Sequence, residues 1–287
     1  MKKKIILTCS VLILLVSLLP SATSADFIHI KSSSPPGLPN FYVNNDWEDL
    51  EDGTVVIELI IDYIIGENAF AKIQDAIDKA WYHDVIYVFQ GTYNENLVIT
   101  GERDYLKIRG IYGWEDPDPM GENIISGSAG EPVILIESDY IEIFGLIITN
   151  NGINENGIVD NGLYTEIYDN TFENIGGTGI VLNSISLGCE IYHNNFINNG
   201  QNALDNSYTT EETFSNWYKD QKGNYWDDHP GGLKRNRQVW LKPYNIPGSA
   251  ESEDPYPLIN VDGKEKSRSV NPLKNILQKI FLHFLFQ

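Results

Sequence analysis

The chain has 287 residues, 40 of them acidic and 20 basic, which gives a formal net charge of −20 at pH 7. This excess of carboxylates repels nucleic acids and anionic lipid surfaces, so we expect neither as a partner of the folded domain. Cys9 and Cys189 are the two cysteines, and removal of the amino terminus would leave Cys189 without an internal disulfide partner.

The first 25 residues have the pattern of a signal peptide. Lys2, Lys3 and Lys4 precede an apolar run over residues 5–19, and small residues follow up to Ala25. The run is shorter than the roughly 20 residues that a membrane span needs. We therefore expect export with removal of residues 1–25, and a secreted or cell-surface protein.

Residues 26–40 are rich in Ser and Pro, which predicts a disordered leader before a domain at 41–260. Within this domain, apolar residues recur at helical spacing and predict an amphipathic helix over about 68–81: Phe70, Ile73, Ile77, Ala80 and Trp81. The next segment, "VIYVFQGTYNENLVI", predicts two strands joined by a turn at Gly91.

Three similar lines of sequence begin at Glu142, Glu166 and Glu190, 24 residues apart: "EIFGLIITNNG", "EIYDNTFENIG" and "EIYHNNFINNG". A period of this length indicates stacked units that cannot bury their apolar faces alone. The repeats are rich in β-branched residues, Asn and Gly and lack a leucine frame, which favours short strands over leucine-rich repeats. We predict an all-β fold, a right-handed single-stranded parallel β-helix of about six to eight turns.

In such a coil, successive turns lie about 4.8 Å apart, so residues one repeat apart stack on each other. Ile143, Ile167 and Ile191 should form an inward column, and Asn170 should bond to Asn194 inside a bend. The predicted helix should cap the first turn. The aromatic and Pro-rich segment at about 223–260 is not repetitive, which predicts an irregular C-terminal cap.

The segment "IQDAIDKA…DVIYVFQGTYNENLVI" resembles the first turns of right-handed β-helix proteins of the pectin-lyase-like superfamily. Repeats of the I-x-x-N-x-F type, "GNYWDD" and "PYNIPG…DPYPL" resemble the NosD-type, carbohydrate-binding and sugar-hydrolase branch, over residues 41–259. The resemblance implies the fold but no single activity, since the superfamily includes lyases, hydrolases, esterases, epimerases and non-catalytic surface proteins. The copper that the NosD name implies lacks a donor set here, since Met120 stands alone and the histidines do not cluster.

Strand alternation turns the neighbours of the isoleucine column outward. The resulting columns are the candidate ligand-binding residues: Glu142, Glu166 and Glu190 in one, and Phe144, Tyr168 and Tyr192 in the other. Carboxylates beside aromatic rings suit sugar binding, although such columns also stabilise strands. The stacked glutamates require either screening by solvent or a cation such as Ca²⁺, the one cofactor considered.

We therefore expect a surface protein that binds a polysaccharide, a surface glycan or another surface partner. One alternative is a polysaccharide hydrolase or lyase that uses Glu166 and Asp169. A second alternative is a structural or adhesive component without a ligand.

Residues 261–287 predict a linker and a short amphipathic helix, with Leu273, Ile276, Leu277, Ile280, Phe281, Phe284 and Leu285 on one side. Docking on the last turn, self-association and contact with a membrane surface are all consistent with this pattern. The oligomeric state is left open.

Overall fold

The computed structural model describes residues 5–7, 41–58, 61–111, 122–150, 152, 154–208 and 214–261. Most of the predicted signal peptide, the leader and the predicted C-terminal helix lie outside these residues. Among the helices of the described ranges, none is long and apolar enough to cross a membrane.

Three parallel sheets form the walls of one coil. Sheet 1 contains Phe41–Val43, Ala69–Phe70, Val85–Val88, Lys107–Gly110, Glu142–Phe144, Glu166–Tyr168 and Glu190–Tyr192. Sheet 2 contains Gly91–Tyr93, Asn123–Ser126, Ile147–Thr149, Thr171–Glu173, Asn195–Ile197 and Tyr225–Trp226. Sheet 3 contains Leu97–Ile99, Ile134–Ile136, Ile158–Asp160, Thr178–Leu182 and Gln201–Asp205.

The chain visits the three sheets in a constant order, and each strand pairs in parallel with its counterpart one turn later. This arrangement confirms the predicted right-handed parallel β-helix. There are five complete turns in the described residues rather than the six to eight expected. The difference arises because strands near both ends form a hairpin and a cap instead of further turns.

The core consists of stacked columns of like side chains. Ile143, Ile167 and Ile191 pair in register and are fully buried, as predicted. On sheet 2, Phe172 stacks on Phe196 with ring centroids 5.0 Å apart, and Phe196 stacks on Trp226 at 4.4 Å. Full burial of each such side chain is worth about 1.5–3 kcal/mol, so these columns are a main source of stability.

The first turn is covered by helix α1, Ile73–Lys79. Its side chains Ile73, Ala76 and Ile77 are buried in the core. The helix is shorter than the predicted 68–81, because Ala69–Phe70 pairs with Tyr42–Val43 as a strand. The carboxylate of Glu95 accepts hydrogen bonds from the first backbone N–H groups of the helix, at Ile73 and Gln74, both at 2.9 Å, and so acts as a cap from a distant part of the chain.

A second cluster lies outside the coil, on the outer side of the first strands of sheet 1. Strands Val55–Glu58 and Ile61–Ile64 form an antiparallel hairpin, and Ile5–Leu7, within the predicted signal peptide, pairs in parallel with the first of them. With the 3-10 helix Asn45–Trp47, this region buries a set of mainly aromatic residues that includes Tyr42, Trp47, Tyr63, Tyr87 and Phe89. Sheet 1 is therefore exposed on its outer side only beyond these first strands.

An amide ladder runs through the bend between sheets 1 and 2 and ends in the C-terminal cap. The Asn170 side-chain amide donates to Asn194 Oδ1 at 3.2 Å, as predicted, and Asn194 donates to Asn224 Oδ1 at 3.0 Å. The backbone N–H of Asn224 then donates to Asp254 Oδ2 at 2.7 Å, and Trp226 Nε1 donates to the same oxygen at 2.9 Å. The cap, with its antiparallel strands Tyr244–Asn245 and Glu253–Asp254, closes the ladder with a buried carboxylate.

We predict that Asp254 makes the stability of the protein depend on pH. Burial raises the pKa of Asp254 to about 7, from an ordinary 3.8, although several hydrogen-bond donors oppose the shift. The folded state therefore binds this proton more tightly than the unfolded state, so the contribution of Asp254 to stability is greatest below about pH 4 and is lost as the pH rises to 7. The free energy of unfolding of wild type minus that of Asp254→Asn should fall by roughly 2–4 kcal/mol between pH 4 and 7.

Urea unfolding followed at several pH values measures this difference. Asp220→Asn, at an exposed aspartate, controls for the loss of one negative charge. A difference between wild type and Asp254→Asn that stays constant from pH 4 to 8 would contradict the prediction.

Candidate functional site

The candidate site is the outer face of sheet 1 beyond the hairpin, which we call the outward strip. The predicted columns are in register there, Glu142 beside Glu166 and Glu190, and Phe144 beside Tyr168 and Tyr192. One turn earlier, Lys107 and Arg109 occupy the same two columns. The strip therefore begins with two basic residues and continues with three acidic and three aromatic ones.

Basic side chains neutralise the glutamate column. Lys107 Nζ lies 2.8 Å from Glu142 Oε2, and the Arg109 guanidinium pairs with Glu142 Oε1. At the other end, Lys219 Nζ lies 2.7 Å from Glu166 Oε1 and 2.8 Å from Glu190 Oε2. The chain itself thus supplies positive charges beside all three glutamates of the column.

Glu142 is the organising residue of the strip. Its side chain is only 9% exposed, and Tyr168 donates its hydroxyl to Glu142 Oε1 at 2.8 Å. Burial acts to raise the pKa of Glu142, but the hydrogen bond from Lys107 and the charge of Arg109 outweigh burial and lower this pKa. Glu142 therefore stays ionised and holds two basic side chains and a phenol in place.

The rings of the aromatic column pack against one another, so they are less accessible than fully exposed rings that stack on sugars. The rings of Tyr168 and Tyr192 stack with centroids 5.1 Å apart and planes within 6°, and Phe144 lies 4.9 Å from Tyr168. Tyr192 is only 8% exposed, its hydroxyl donates to Glu166 Oε1 at 2.6 Å, and Lys219 Nζ lies 4.8 Å from its ring centroid. Phe144 and Tyr168 are the partly exposed members of the column.

Burial and the hydrogen bond to Glu166 raise the pKa of Tyr192 above its usual value. Burial and the negative charge of Glu142 do the same for Tyr168. Both phenols therefore stay protonated at neutral pH, so they remain hydrogen-bond donors to the glutamates.

The two candidate catalytic carboxylates have different surroundings. Glu166 is bound to Tyr192 and Lys219. Asp169 lies in the following bend with φ of 53°, and its Oδ1 is 3.6 Å from His193 Nδ1. Asp169 and His193 are 24 residues apart in the sequence, and stacking by one repeat brings them together.

Sequence reasoning also missed Lys219 and the covering hairpin. Lys219 lies in a segment without repeats, so no periodic pattern predicts which turn it reaches. The glutamate column was the available signal for Lys219, because three stacked carboxylates favour a nearby positive charge. The sequence does not indicate which residue supplies that charge.

A half-open cavity of about 350 Å³ lies at the other end of the molecule, where Trp47, Asp52, Phe70, Lys72 and Asp75 are among its lining residues. The predicted site residues do not contribute to its wall. The outward strip is therefore a surface feature, separate from this cavity.

The described residues do not fit a copper or calcium centre. Across the described ranges, no group of three or more His, Cys, Asp or Glu side chains could hold a metal ion. Cys189 is fully buried, and its thiol lies 3.4 Å from Asp160 Oδ2, while His193 has Asp169 as its neighbour. Soft sulfur and imidazole ligands, which copper prefers, are thus not gathered in this part of the chain.

The stacked parallel sheets define a right-handed parallel β-helix. Residues 115–231 match the family model described as "Periplasmic copper-binding protein (NosD)". This match confirms the predicted NosD-type resemblance for that part of the chain.

Solved structures that resemble the chain include pectin methylesterases. The Aspergillus niger enzyme is 15% identical with a TM-score of 0.33, and the match covers 68% of this chain and 66% of that one. PemA from Erwinia chrysanthemi is 16% identical with a TM-score of 0.34, covering 66% and 60%. A pectin methylesterase in complex with a hexasaccharide is 17% identical with a TM-score of 0.35, covering 66% and 60%.

The match thus spans between 60% and 66% of the length of these esterases. A comparison with curated proteins gave no match.

We predict that Glu142→Gln destabilises the protein by about 2–3 kcal/mol at pH 7, because it leaves Lys107 and Arg109 without their shared, nearly buried counter-charge. Glu190→Gln is the matched control: this glutamate is 41% exposed and shares Lys219 with Glu166, so the expected loss is below about 1 kcal/mol. Urea unfolding measures both values. Equal losses in the two variants would show that Glu142 does not organise the strip.

The contribution of Glu142 to stability should also depend on pH in the acid range. Because the pKa of folded Glu142 is lowered, its contribution is fully present above about pH 4.5 and is lost as the pH falls through the folded value. The stability gap between wild type and Glu142→Gln should therefore narrow below pH 4.5.

Proposed function

We propose that this protein is an exported, non-catalytic β-helix protein that binds carbohydrate on the outward strip. The observation that supports this function is the mixture of groups along the strip. Partly exposed aromatic side chains, Phe144 and Tyr168, lie beside charged groups arranged one turn apart. Aromatic rings pack against the apolar faces of sugars, and charged groups bond their hydroxyls.

The charge of the strip supports the same function. Three basic residues, Lys107, Arg109 and Lys219, pair with three glutamates in a protein whose formal net charge is −20. The strip is therefore locally balanced, so it repels an acidic saccharide less than a purely acidic surface would.

Two observations support export. The sequence before Ala25 has the charged, apolar and small-residue parts of a signal peptide, and the matching family description names a periplasmic protein. We infer a location outside the cytoplasm, where glycans of the cell surface or the surroundings are the accessible partners.

The binding test is a glycan array that presents acidic and neutral polysaccharides to residues 26–287. Phe144→Ala should weaken binding of any retained glycan about fivefold, because it removes a partly exposed ring worth about 1 kcal/mol in contact with a ligand. Tyr208→Ala is the control, since Tyr208 is an exposed ring that follows the last strand of sheet 3, away from the strip. Equal binding by wild type and Phe144→Ala, or no binding by wild type to any glycan, would contradict the proposed function.

Catalysis by Glu166 and Asp169 is the rival function, and the Asp169–His193 contact favours it as a carboxylate–imidazole pair. Against it, His193 Nε2 is buried without a hydrogen-bond partner in the described residues, so a substrate has no direct access to that atom. We expect no shortened or de-esterified products when bound glycans are incubated with the protein and analysed by mass spectrometry. If such products form, and Glu166→Gln or Asp169→Asn abolishes their formation, the proposed function of binding would be replaced by catalysis.

A further inference from the structure

A second aromatic feature lies at a different corner of the coil, where the chain turns from sheet 3 into sheet 1. In each turn, the residue two positions before the sheet 1 strand has a positive φ: His83 at 67°, Tyr105 at 63°, Tyr140 at 58°, Tyr164 at 56° and Gly188 at 67°. The corner therefore demands a left-handed backbone once per turn.

The residue types at this corner differ from those at the other two. Between sheets 1 and 2 the left-handed positions hold Gly145, Asp169 and His193, and between sheets 2 and 3 they hold Asn174 and Asn198. Gly, Asn, Asp and His are the residues that adopt this conformation most readily, whereas for a bulky tyrosine it is an outlier.

Three successive tyrosines thus occupy strained positions that asparagine would fill at lower cost, and such outliers point to function.

The side chains form a continuous stack, which we call the tyrosine ladder: Tyr105, Tyr140 and Tyr164. The ring centroids of Tyr105 and Tyr140 are 4.3 Å apart with planes within 3°, and those of Tyr140 and Tyr164 are 4.9 Å apart. At one end, the Tyr164 ring lies over Gly188, where a Cβ would come within 2.6 Å of ring carbons.

At the other end, the imidazole of His83 lies 4.5 Å from the Tyr105 ring, and the Tyr82 ring lies 5.0 Å from it.

The ladder faces solvent. Tyr140 and Tyr164 are 40% and 43% exposed, and Tyr82 and Trp81 at its end are 54% and 63% exposed. Because the rings cover each other's faces, the ladder presents their edges and a row of phenol groups, one per turn along the coil axis. An extended chain of hydroxyl-bearing units that lies along this axis would meet one donor-acceptor group per turn.

The neighbouring charges restrict the ligand. Asp104 and Asp139 directly precede Tyr105 and Tyr140, and each accepts a backbone N–H of the next turn at 2.9 Å. Glu137 is exposed on the same turn as Tyr140. The Arg103 guanidinium is held by carbonyl oxygens at Ile77, Asp78 and Thr100. This acidic border repels anionic polymers and leaves uncharged ones as suitable ligands.

We propose that the tyrosine ladder, extended by Tyr82 and Trp81, is a second carbohydrate-binding surface that takes a neutral polysaccharide chain along the coil axis. It shares no residue with the outward strip, so it stands or falls independently of the function proposed for that strip.

The test is affinity gel electrophoresis of residues 26–287 in gels that contain hydroxyethylcellulose, galactomannan or polygalacturonate. Wild type should be retarded by a neutral polymer, and any retardation by polygalacturonate should not depend on the ladder. The double variant Tyr140→Asn, Tyr164→Asn should bind that neutral polymer at least fivefold more weakly. It should remain folded, because asparagine adopts the left-handed conformation readily, and circular dichroism with thermal unfolding checks this.

The matched control is Tyr208→Asn, which removes an exposed tyrosine outside both the ladder and the outward strip. It should bind the neutral polymer like wild type. The ladder is overturned as a binding surface if the folded double variant is retarded like wild type, or if the control loses retardation equally. It is also overturned if wild type ignores both neutral polymers, or if the double variant loses retardation by polygalacturonate to the same extent.

Discussion

The constraint on which this structure depends is that each turn of the coil must return to the register of the turn before it. Parallel backbone hydrogen bonds between successive strands enforce this return, and they place residues one repeat apart directly over each other. Every property of a position is then repeated along the axis. Inside, this produces columns of isoleucine, aromatic rings and asparagine; outside, it produces columns of charge and of exposed rings.

Stacking is favourable for apolar and amide side chains but costly for charged ones, and the outward strip shows how the protein manages this cost. The glutamate column is balanced at one end by Lys107 and Arg109 from an earlier turn, and at the other by Lys219 from beyond the last complete turn. Lys219 also lies over the ring of Tyr192 at the end of the aromatic column. The accessible part of the strip is therefore its middle, around Phe144 and Tyr168.

The corners of the coil follow a different rule, because the backbone there must adopt a left-handed conformation. Two of the corners use Gly, Asn, Asp and His, which adopt it readily, whereas the third has tyrosine in three of its five turns. A repeat protein can thus place an exposed row of side chains at a corner as well as on a sheet. The flat sheet face presents a mixture of charges and rings, whereas the corner presents ring edges and hydroxyls in an acidic setting, and the two surfaces suit different ligands.

The 24-residue repeat by itself determined the fold, the inward isoleucine column and the contact of Asn170 with Asn194, because a periodic sequence on a periodic backbone specifies its own register. Only the tertiary structure decided what lies at the ends of those columns. Lys219 closes the glutamate column, and Asp254 closes the amide ladder, and both belong to segments with no period that could place them. The tyrosine ladder was hidden for a related reason: Tyr105 and Tyr140 are separated by a longer turn than Tyr140 and Tyr164, so only folding reveals that the three rings stack.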